Sequence, residues 1–209
     1  MKYYFYYLII LVLLIVAELL YFKLAERFGI VDKPSSRSSH NRVVLRGGGI
    51  IIPLGVLMGA LFFGFSYPWF VLGLVIISAV SFWDDVHSIP GMARLAVQFV
   101  AMFFMFYEME ILHLNNWWIV LVAIIVSVGV TNAFNFMDGI NGMTGGYSLV
   151  VLLPLIYQNS KFGFISMELL VCTLLADVVF CFFNFRKKAK CFAGDVGAVS
   201  VAFIVVFSI

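Results

Sequence analysis

The sequence predicts an all-α fold, a polytopic bundle of about eight transmembrane helices that forms a single domain over residues 1–209. Hydrophobic residues make up 64% of the chain and charged residues 11%, whereas soluble domains carry roughly 25% charged residues. Several apolar runs approach the roughly 20 residues that a helix needs to cross a bilayer. The basic residues, in turn, are concentrated in alternate connections between these runs. Together these observations exclude a soluble globular protein.

The apolar runs define the predicted spans. Residues 47–83 contain no Asp, Glu, Lys or Arg, and this stretch is too long for one span but suits a helical hairpin that turns at residues 66–68. The other runs predict one span each, and the last is cut short where the chain stops. The predicted spans are residues 3–22, 47–65, 69–83, 95–107, 117–134, 143–157, 165–183 and 196–209.

The distribution of basic residues predicts the orientation of the bundle. Eleven of the thirteen Lys and Arg residues lie in the connections 23–46, 84–94, 135–142 and 184–195. Because positive charge is retained on the cytoplasmic side, these connections are predicted to be cytoplasmic and the N-terminus to lie outside. Tyr and Trp residues such as Tyr67, Trp69 and Trp117 fall at the opposite ends of the spans, where amphipathic rings prefer the membrane interface.

Four aspartates recur where predicted spans meet the cytoplasm: Asp84, Asp85, Asp138 and Asp195. An ionised carboxylate at such a position is costly unless it is paired or binds a metal. Adjacent carboxylates repel each other, and a divalent cation such as Mg²⁺ relieves that repulsion. The four residues are therefore expected to converge on one Mg²⁺ site. The alternative is that they are ordinary hydrated loop residues.

A polar stripe runs through the end of the fifth predicted span. Asn132, Asn135, Asp138 and Asn141 follow one another at intervals of three, which places them on one helical face. Gly139 and Gly142 suggest that the helix frays here and frees backbone N–H groups for a phosphate. Such a stripe can instead join helices through hydrogen bonds.

Basic segments flank these aspartates. The loop from Asp32 to Gly49 combines Lys, Arg and Ser residues with a run of three glycines after Arg46, which favours a phosphate-binding face. Arg94 could neutralise a phosphate or simply fix topology. The basic run at residues 186–190 is typical of a topology anchor or of a site for anionic lipid headgroups.

Taken together, the motifs resemble the polyprenyl-phosphate N-acetylhexosamine-1-phosphate transferases, in particular the O-antigen-initiating type. The resemblance covers the whole chain, and the third of its five motifs is the most specific. In order, the motifs are the Asp32 loop through Arg46 and its glycines, Asp84 with Asp85, Arg94 with Gln98, the Asn132–Gly142 stripe, and Phe192 with the Gly194–Asp195–Gly197 segment.

The resemblance implies a reaction and a set of partners. A UDP-sugar would donate N-acetylhexosamine-1-phosphate to undecaprenyl phosphate, with release of UMP, at the cytoplasmic face of the bacterial inner membrane. The cofactor would be Mg²⁺, with Mn²⁺ as the alternative. Membrane lipid is an expected partner and nucleic acid is not. Whether the chain forms a homodimer is left undecided by the resemblance. The product would initiate the synthesis of a cell-surface polysaccharide.

The resemblance also assigns roles by matching position. Asp195 corresponds to a metal ligand, and Phe192 to the ring that stacks on uracil. The catalytic residues would be Asp84, Asp85 and Asp138, and the other substrate-binding residues Arg46, Arg94, Asn132, Asn135 and Asn141. Asn141 departs from the family, which usually has Asp there, although an amide can still hydrogen-bond a uracil edge. The family's later spans and its histidine-rich loop are also missing, so a fragment or a truncated reading frame is expected.

Two other functions fit parts of the sequence. A non-catalytic remnant would keep the fold and lose the reaction. A transporter would need several ionisable groups inside the membrane. Asp177 is the clear candidate, because Glu18 and Glu168 are predicted to lie toward the ends of their spans.

Overall fold

A computed structural model describes residues 2–32, 34, 42–113, 116–138, 140–186 and 188–209. Parts of the predicted phosphate-binding loop, including Lys33, Arg37 and His40, lie outside these residues. So do Gly139, which was predicted to fray the fifth helix, and Lys187 of the basic run.

Eight α-helices make up almost all of the described structure. Two 3₁₀ turns lie at Gly48–Ile50 and Ile111–His113, and strand β1 (Val31–Asp32) pairs antiparallel with β2 (Val44–Leu45). The helices are α1 (Lys2–Phe28), α2 (Ile51–Phe63), α3 (Pro68–Val86), α4 (Gly91–Glu108), α5 (Trp117–Met137), α6 (Met143–Phe162), α7 (Met167–Asn184) and α8 (Gly194–Ser208).

Four helical segments are individually long and apolar enough to cross a membrane: Tyr3–Phe28, Pro68–Val86, Trp117–Met137 and Met167–Asn184. Gly48–Phe63 and Gly194–Ser208 are shorter apolar helices. The predicted fold class, an all-α polytopic membrane protein, is confirmed.

Helix α8 is the most enclosed element of the bundle, with almost every side chain buried. It packs against α3 and α5, while α2 and α6 pack against α7. Phe70 of α3 stacks on Phe203 and Phe207 of α8, with ring centroids 5.5 and 4.0 Å apart. Helix α8 is consequently fixed against α3 and α5, and its first turn lies beside the end of α3 that carries Asp85.

Several helix ends differ from the predicted boundaries. Helix α1 continues to Phe28, so Glu18 is fully buried well inside the helix rather than near its end. Asp84 and Asp85 belong to the last turns of α3 rather than to the following connection. Helix α5 ends at Met137, which leaves Asp138 just beyond it and breaks the predicted polar stripe. Apolar runs mark spans well, but they do not show how far a helix continues into polar sequence.

Backbone pairing brings two distant connections together beside α8. The Leu45 N–H donates to the Lys190 carbonyl at 3.3 Å, and the Phe192 N–H donates to the Leu45 carbonyl at 2.8 Å. The segment that leads into α8 therefore lies alongside β2, and Arg46 is carried to the first turn of α8.

Candidate active site

The first turn of α8 is capped by a side chain from another helix. Ala193, which precedes the helix, makes no side-chain cap. Instead, Asp85 at the end of α3 accepts the Asp195 N–H through Oδ1 at 2.9 Å and the Val196 N–H through Oδ2 at 3.0 Å. A carboxylate is favoured at a helix N-terminus, where unpaired N–H groups and the helix dipole attract negative charge. Asp85 and Asp195 are thus fixed side by side.

Arg46 links these two aspartates. Its Nε donates to Asp85 Oδ1 at 2.7 Å, and its Nη2 donates to Asp195 Oδ1 at 3.1 Å. The Arg46 carbonyl accepts a hydrogen bond from the Tyr21 hydroxyl. Burial opposes the charge on Arg46, but the carboxylates of Asp85 and Asp195 outweigh burial and raise the pKa of its guanidinium. Arg46 therefore stays cationic against the aspartates.

Arg94 extends the pairing to Asp84. Its Nη1 donates to Asp84 Oδ2 at 2.8 Å and to Asp195 Oδ2 at 3.0 Å. The other Asp84 oxygen accepts the Ile89 N–H at 2.6 Å. Asp195 consequently lies between two arginines, each of which binds one of its oxygens. We refer to Arg46, Asp84, Asp85, Arg94 and Asp195 as the carboxylate–arginine network.

The network is open to solvent mainly through its cations. The side chains of Arg46 and Arg94 are 36% and 40% exposed, whereas those of Asp84 and Asp85 are 7% and 0% exposed. An anionic ligand that approaches this end of the bundle would meet guanidinium groups first. Arginine suits phosphate because its planar donors can bind two oxygens at once.

Asp138 lies beside the network but bonds to different groups. Its Oδ2 accepts the Gly194 N–H at 3.1 Å, and its Oδ1 accepts the Thr144 hydroxyl at 2.6 Å. Burial raises the pKa of Asp138 above its usual range, against the effect of these two hydrogen bonds. The structure thus brings all four predicted aspartates to the first turn of α8. Three of them are paired with arginine, a feature that the sequence did not indicate.

The glycine run after Arg46 serves close packing rather than an open phosphate cradle. The Gly48 N–H donates to the Phe192 carbonyl at 2.9 Å, and the Gly49 N–H donates to the Ala193 carbonyl at 3.0 Å. The backbone of Gly49 also approaches Gly197 so closely that a Cβ on Gly49 would overlap the Gly197 Cα. The N–H groups of Gly48 and Gly49 are therefore not available to a phosphate, while the phosphate-binding face expected of the whole loop stays a prediction.

The predicted polar stripe separates into three environments. Asn132 forms an amide pair with Gln98 of α4, with N–O distances of 2.9 and 3.4 Å, and so joins two helices. Asn135 lines a small pocket together with Arg94, Gln98 and Asp195. Asn141 is exposed and does not belong to the network. Of the three asparagines, only Asn135 lies where a ligand of the network could contact it directly.

The contribution expected of Gly142 is contradicted, whereas the stacking of Phe192 on uracil stays a prediction. The Gly142 N–H, which was expected to be available to phosphate, donates to Asn184 Oδ1 at 2.7 Å. Phe192 is half-buried and its backbone pairs with Leu45 and Gly48, so its position is fixed by the segment that leads into α8.

Comparison with known proteins identifies the family of this chain. Residues 67–209 match glycosyl transferase family 4. The chain belongs to that family. The match includes Asp84, Asp85, Arg94, Asp138 and Asp195, while Arg46 lies before its first residue. The family resemblance read from the motifs is confirmed.

Curated relatives of this family 4 chain carry a consistent description. The chain is 26% identical to a probable undecaprenyl-phosphate N-acetylglucosaminyl 1-phosphate transferase of Bacillus subtilis, over 87% of this chain and 55% of the relative. It is also 28% identical to the undecaprenyl-phosphate alpha-N-acetylglucosaminyl 1-phosphate transferase of Yersinia pestis, over 88% of this chain and 56% of the relative. Its identity to the enzyme of the same description from Thermotoga maritima is 34%, over 68% of this chain and 48% of the relative. The chain spans about half the length of these relatives.

The carboxylates of the family 4 chain suit a divalent cation in part. Within the described ranges, no three His, Cys, Asp or Glu side chains are grouped as a ready metal site. Asp84 and Asp195, however, each direct one oxygen at the same atom, Arg94 Nη1. Mg²⁺ is commonly held by one or two carboxylates together with substrate phosphates and water. These two residues therefore fit Mg²⁺, provided that Arg94 gives up its position between them.

Four residues that support the site were not identified as site residues from the sequence. Thr144 holds Asp138, Asn184 donates to the Cys191 carbonyl at 2.8 Å, and Tyr21 binds the Arg46 carbonyl. Glu18 is fully buried beside Cys191, with a carboxylate–sulfur distance of 3.6 Å. Only Glu18 carried a signal, because it is the one acidic residue of the apolar run at residues 3–22.

Proposed function

We propose that this chain transfers N-acetylhexosamine-1-phosphate from a UDP-sugar to undecaprenyl phosphate, with release of UMP and with Mg²⁺ as the cofactor. The carboxylate–arginine network is the observation that carries the proposal, because it combines a candidate cation site with two exposed phosphate-binding cations. The relatives described above support it, because they are undecaprenyl-phosphate transferases of N-acetylglucosaminyl 1-phosphate, and N-acetylglucosamine is an N-acetylhexosamine.

The reaction joins two phosphate-bearing substrates. An oxygen of undecaprenyl phosphate attacks the phosphorus that bears the sugar. The bond between that phosphorus and the oxygen bridging the two phosphates breaks, and the bridging oxygen leaves with UMP. Bound Mg²⁺ would supply positive charge to the diphosphate. The remaining catalytic requirement is to bring two anions together, since phosphoryl transfer depends chiefly on positioning and charge stabilisation.

The proposed roles follow from where the side chains lie. Asp84 and Asp195 would hold the cation, and Arg94, released from between them, would turn its guanidinium toward a phosphate. Arg46 would bind a second phosphate while Asp85 keeps it in place. Asn135, which lines the same small pocket as Arg94, would hydrogen-bond a substrate group that is bound at this arginine.

The location of the reaction is part of the proposal. The ends of α1 and α7 on the side of Asp195 are followed by connections rich in Lys and Arg, and Arg94 follows the end of α3. Connections of this basic kind stay in the cytoplasm. We place the network at the cytoplasmic face of the bacterial inner membrane. The lipid-linked sugar diphosphate formed there would begin a cell-surface polysaccharide.

A transfer assay on the purified protein tests this proposal. The protein is incubated with UDP-N-acetylglucosamine or UDP-N-acetylgalactosamine, undecaprenyl phosphate and MgCl₂, and UMP and the lipid product are measured by mass spectrometry. We expect equal amounts of both products, none without the lipid, and none with a chelator. Asp195→Asn should reduce the rate by about 100-fold or more, whereas Glu26→Gln, an exposed change in α1, should not. UMP release that does not require the lipid acceptor would refute the proposal.

A further inference from the structure

A second cavity lies at the end of the bundle opposite the carboxylate–arginine network. It encloses about 490 Å³ between the start of α1, the end of α2 and the start of α7. Helix α3 separates the two regions: it begins at Pro68, directly after Tyr67 of the cavity lining, and its last turns carry Asp84 and Asp85 of the network. Its 19 residues correspond to a helix length of about 28 Å. The cavity is therefore not part of the proposed transferase site.

Aromatic rings dominate the lining of this cavity. They are Tyr3, Tyr6, Phe62, Phe63 and Tyr67. The first four form one cluster: Tyr3 stacks on Phe63 with centroids 5.9 Å apart, and Tyr6 lies 5.9 and 5.8 Å from Phe62 and Phe63. The Tyr67 hydroxyl is held separately by the Ser166 N–H at 3.0 Å. Aromatic faces carry negative electrostatic potential, so a group of them attracts a cation.

The cavity also contains one carboxylate. Glu168 lies in the first turn of α7 and is half-buried, and Ser166 caps the same turn by accepting the Leu169 N–H at 3.4 Å. The positive end of the helix dipole favours an ionised Glu168. Among the described residues that line the cavity, none is Lys or Arg. The negative charge is therefore not neutralised from within this lining.

We propose that this cavity binds an organic ammonium ion, held by Glu168 and by the aromatic rings. Compensation of the helix dipole explains a carboxylate at the start of α7, and the preference of Tyr for the membrane interface explains rings at this end of the bundle. Neither explains why the carboxylate and five rings line one cavity whose described lining includes no Lys or Arg. Aromatic faces with a carboxylate are the chemistry that recognises ammonium groups. The volume falls in the range of roughly 300–1,000 Å³ that small-molecule sites occupy. The ion could belong to an amine-bearing phospholipid headgroup or to a soluble amine.

Native mass spectrometry of the purified full chain tests the proposal. Phosphatidylethanolamine and phosphatidylglycerol with identical acyl chains are added in turn, and ethanolamine and choline are added in a separate series. We expect the first lipid to bind more tightly than the second by roughly 2- to 30-fold, the range that a cation–π contact provides. If ethanolamine or choline also binds and displaces the lipid, a soluble amine is a ligand of the site. If only the lipid binds, the lipid headgroup is the ligand.

Matched variants separate this site from general lipid adhesion. Glu168→Gln removes the charge with little change in shape, and Glu26→Gln makes the same change on an exposed part of α1. Tyr6→Leu removes a ring, whereas Tyr6→Phe keeps it. The preference for ammonium should disappear in Glu168→Gln and Tyr6→Leu and persist in the two controls. If Glu168→Gln does not fold, the Tyr6 pair still decides. Equal binding of both lipids without amine binding, or a preference unchanged in Glu168→Gln or Tyr6→Leu, would overturn the proposal.

Discussion

Asp85 caps the helix that carries Asp195: its two carboxylate oxygens accept the N–H groups of Asp195 and Val196 at 2.9 and 3.0 Å. The residues belong to motifs 110 positions apart in the chain. Because Arg46 binds both carboxylates, a change at Asp85 alters the position of α8 and the charge around Asp195 together.

Asp85→Ala should destabilise the folded protein by about 3 kcal/mol. The change leaves Arg46 with one carboxylate fewer and leaves two N–H groups of α8 without their acceptor, and breaking a buried ion pair has a cost of this order. Asp85→Asn should lose less stability, since the single amide oxygen of Asn can still accept one of the two N–H groups. Thermal unfolding of the purified variants in detergent measures both. Equal unfolding temperatures for wild type and Asp85→Ala would show that the cap contributes nothing.

Gly194→Ala should also destabilise the site, by about 2 kcal/mol. Gly194 has a φ of +69°, a left-handed conformation that costs roughly 1–2 kcal/mol for other residues. A Cβ there would lie 2.6 Å from Asp85 Oδ2, an oxygen held in place by the Val196 N–H. Gly91→Ala is the matched control, because its added methyl group would meet nothing within 4 Å. The difference in unfolding temperature between the two variants is the measurement, and similar values would contradict the role of Gly194.

The position of the aspartates could be read from sequence, whereas their partners could not. Asp84, Asp138 and Asp195 each follow or precede a long apolar run, which predicts that they lie at helix ends. The order of the spans and the distribution of basic residues then predict that these ends share one side of the membrane. The pairing of Arg46 with Asp85 and Asp195 joins residues 39 and 149 positions apart. No local pattern encodes such a contact, since it depends on how the helices pack.

The polar stripe shows where residue spacing is misleading. Intervals of three indicate one helical face only while the helix continues, and α5 ends at Met137. Asp138 therefore leaves the helix and bonds to Thr144 and Gly194, and Asn141 becomes exposed. Asn132 and Asn135 stay within the helix, but tertiary packing separates their roles. Asn132 hydrogen-bonds to Gln98, and Asn135 lines a small pocket.

Arg94→Gln should make the folded protein dependent on Mg²⁺. Arg94 Nη1 lies between the Asp84 and Asp195 carboxylates, and without it these charges repel each other. In a chelator the variant should unfold at a lower temperature than wild type, and added Mg²⁺ should recover more of that loss than it adds to wild type. Arg94→Lys keeps a cation at this position, so its unfolding temperature should depend less on Mg²⁺ than that of Arg94→Gln.

A double variant tests whether Asp195 is one of the carboxylates that bind the added Mg²⁺. In Arg94→Gln combined with Asp195→Asn, the repulsion is removed and the stabilisation by Mg²⁺ should be lost. A Mg²⁺ effect of the same size in this double variant and in Arg94→Gln alone would exclude Asp195 as a ligand of the cation.

Cysteine labelling should place Lys188 inside the cell and Ser160 outside it. Eleven of the thirteen basic residues lie in the connections that include residue 188, whereas the α6–α7 side carries Lys161, and basic residues are retained in the cytoplasm. Residues 160 and 188 are both exposed, so a cysteine at either position can react. The native cysteines, Cys172, Cys181 and Cys191, are all buried, so wild type should give little background labelling. With a membrane-impermeant reagent on intact spheroplasts, Ser160→Cys should react at once and Lys188→Cys only after permeabilisation. The opposite order would reverse the orientation of the bundle and place the carboxylate–arginine network on the outer face, away from cytoplasmic UDP-sugars.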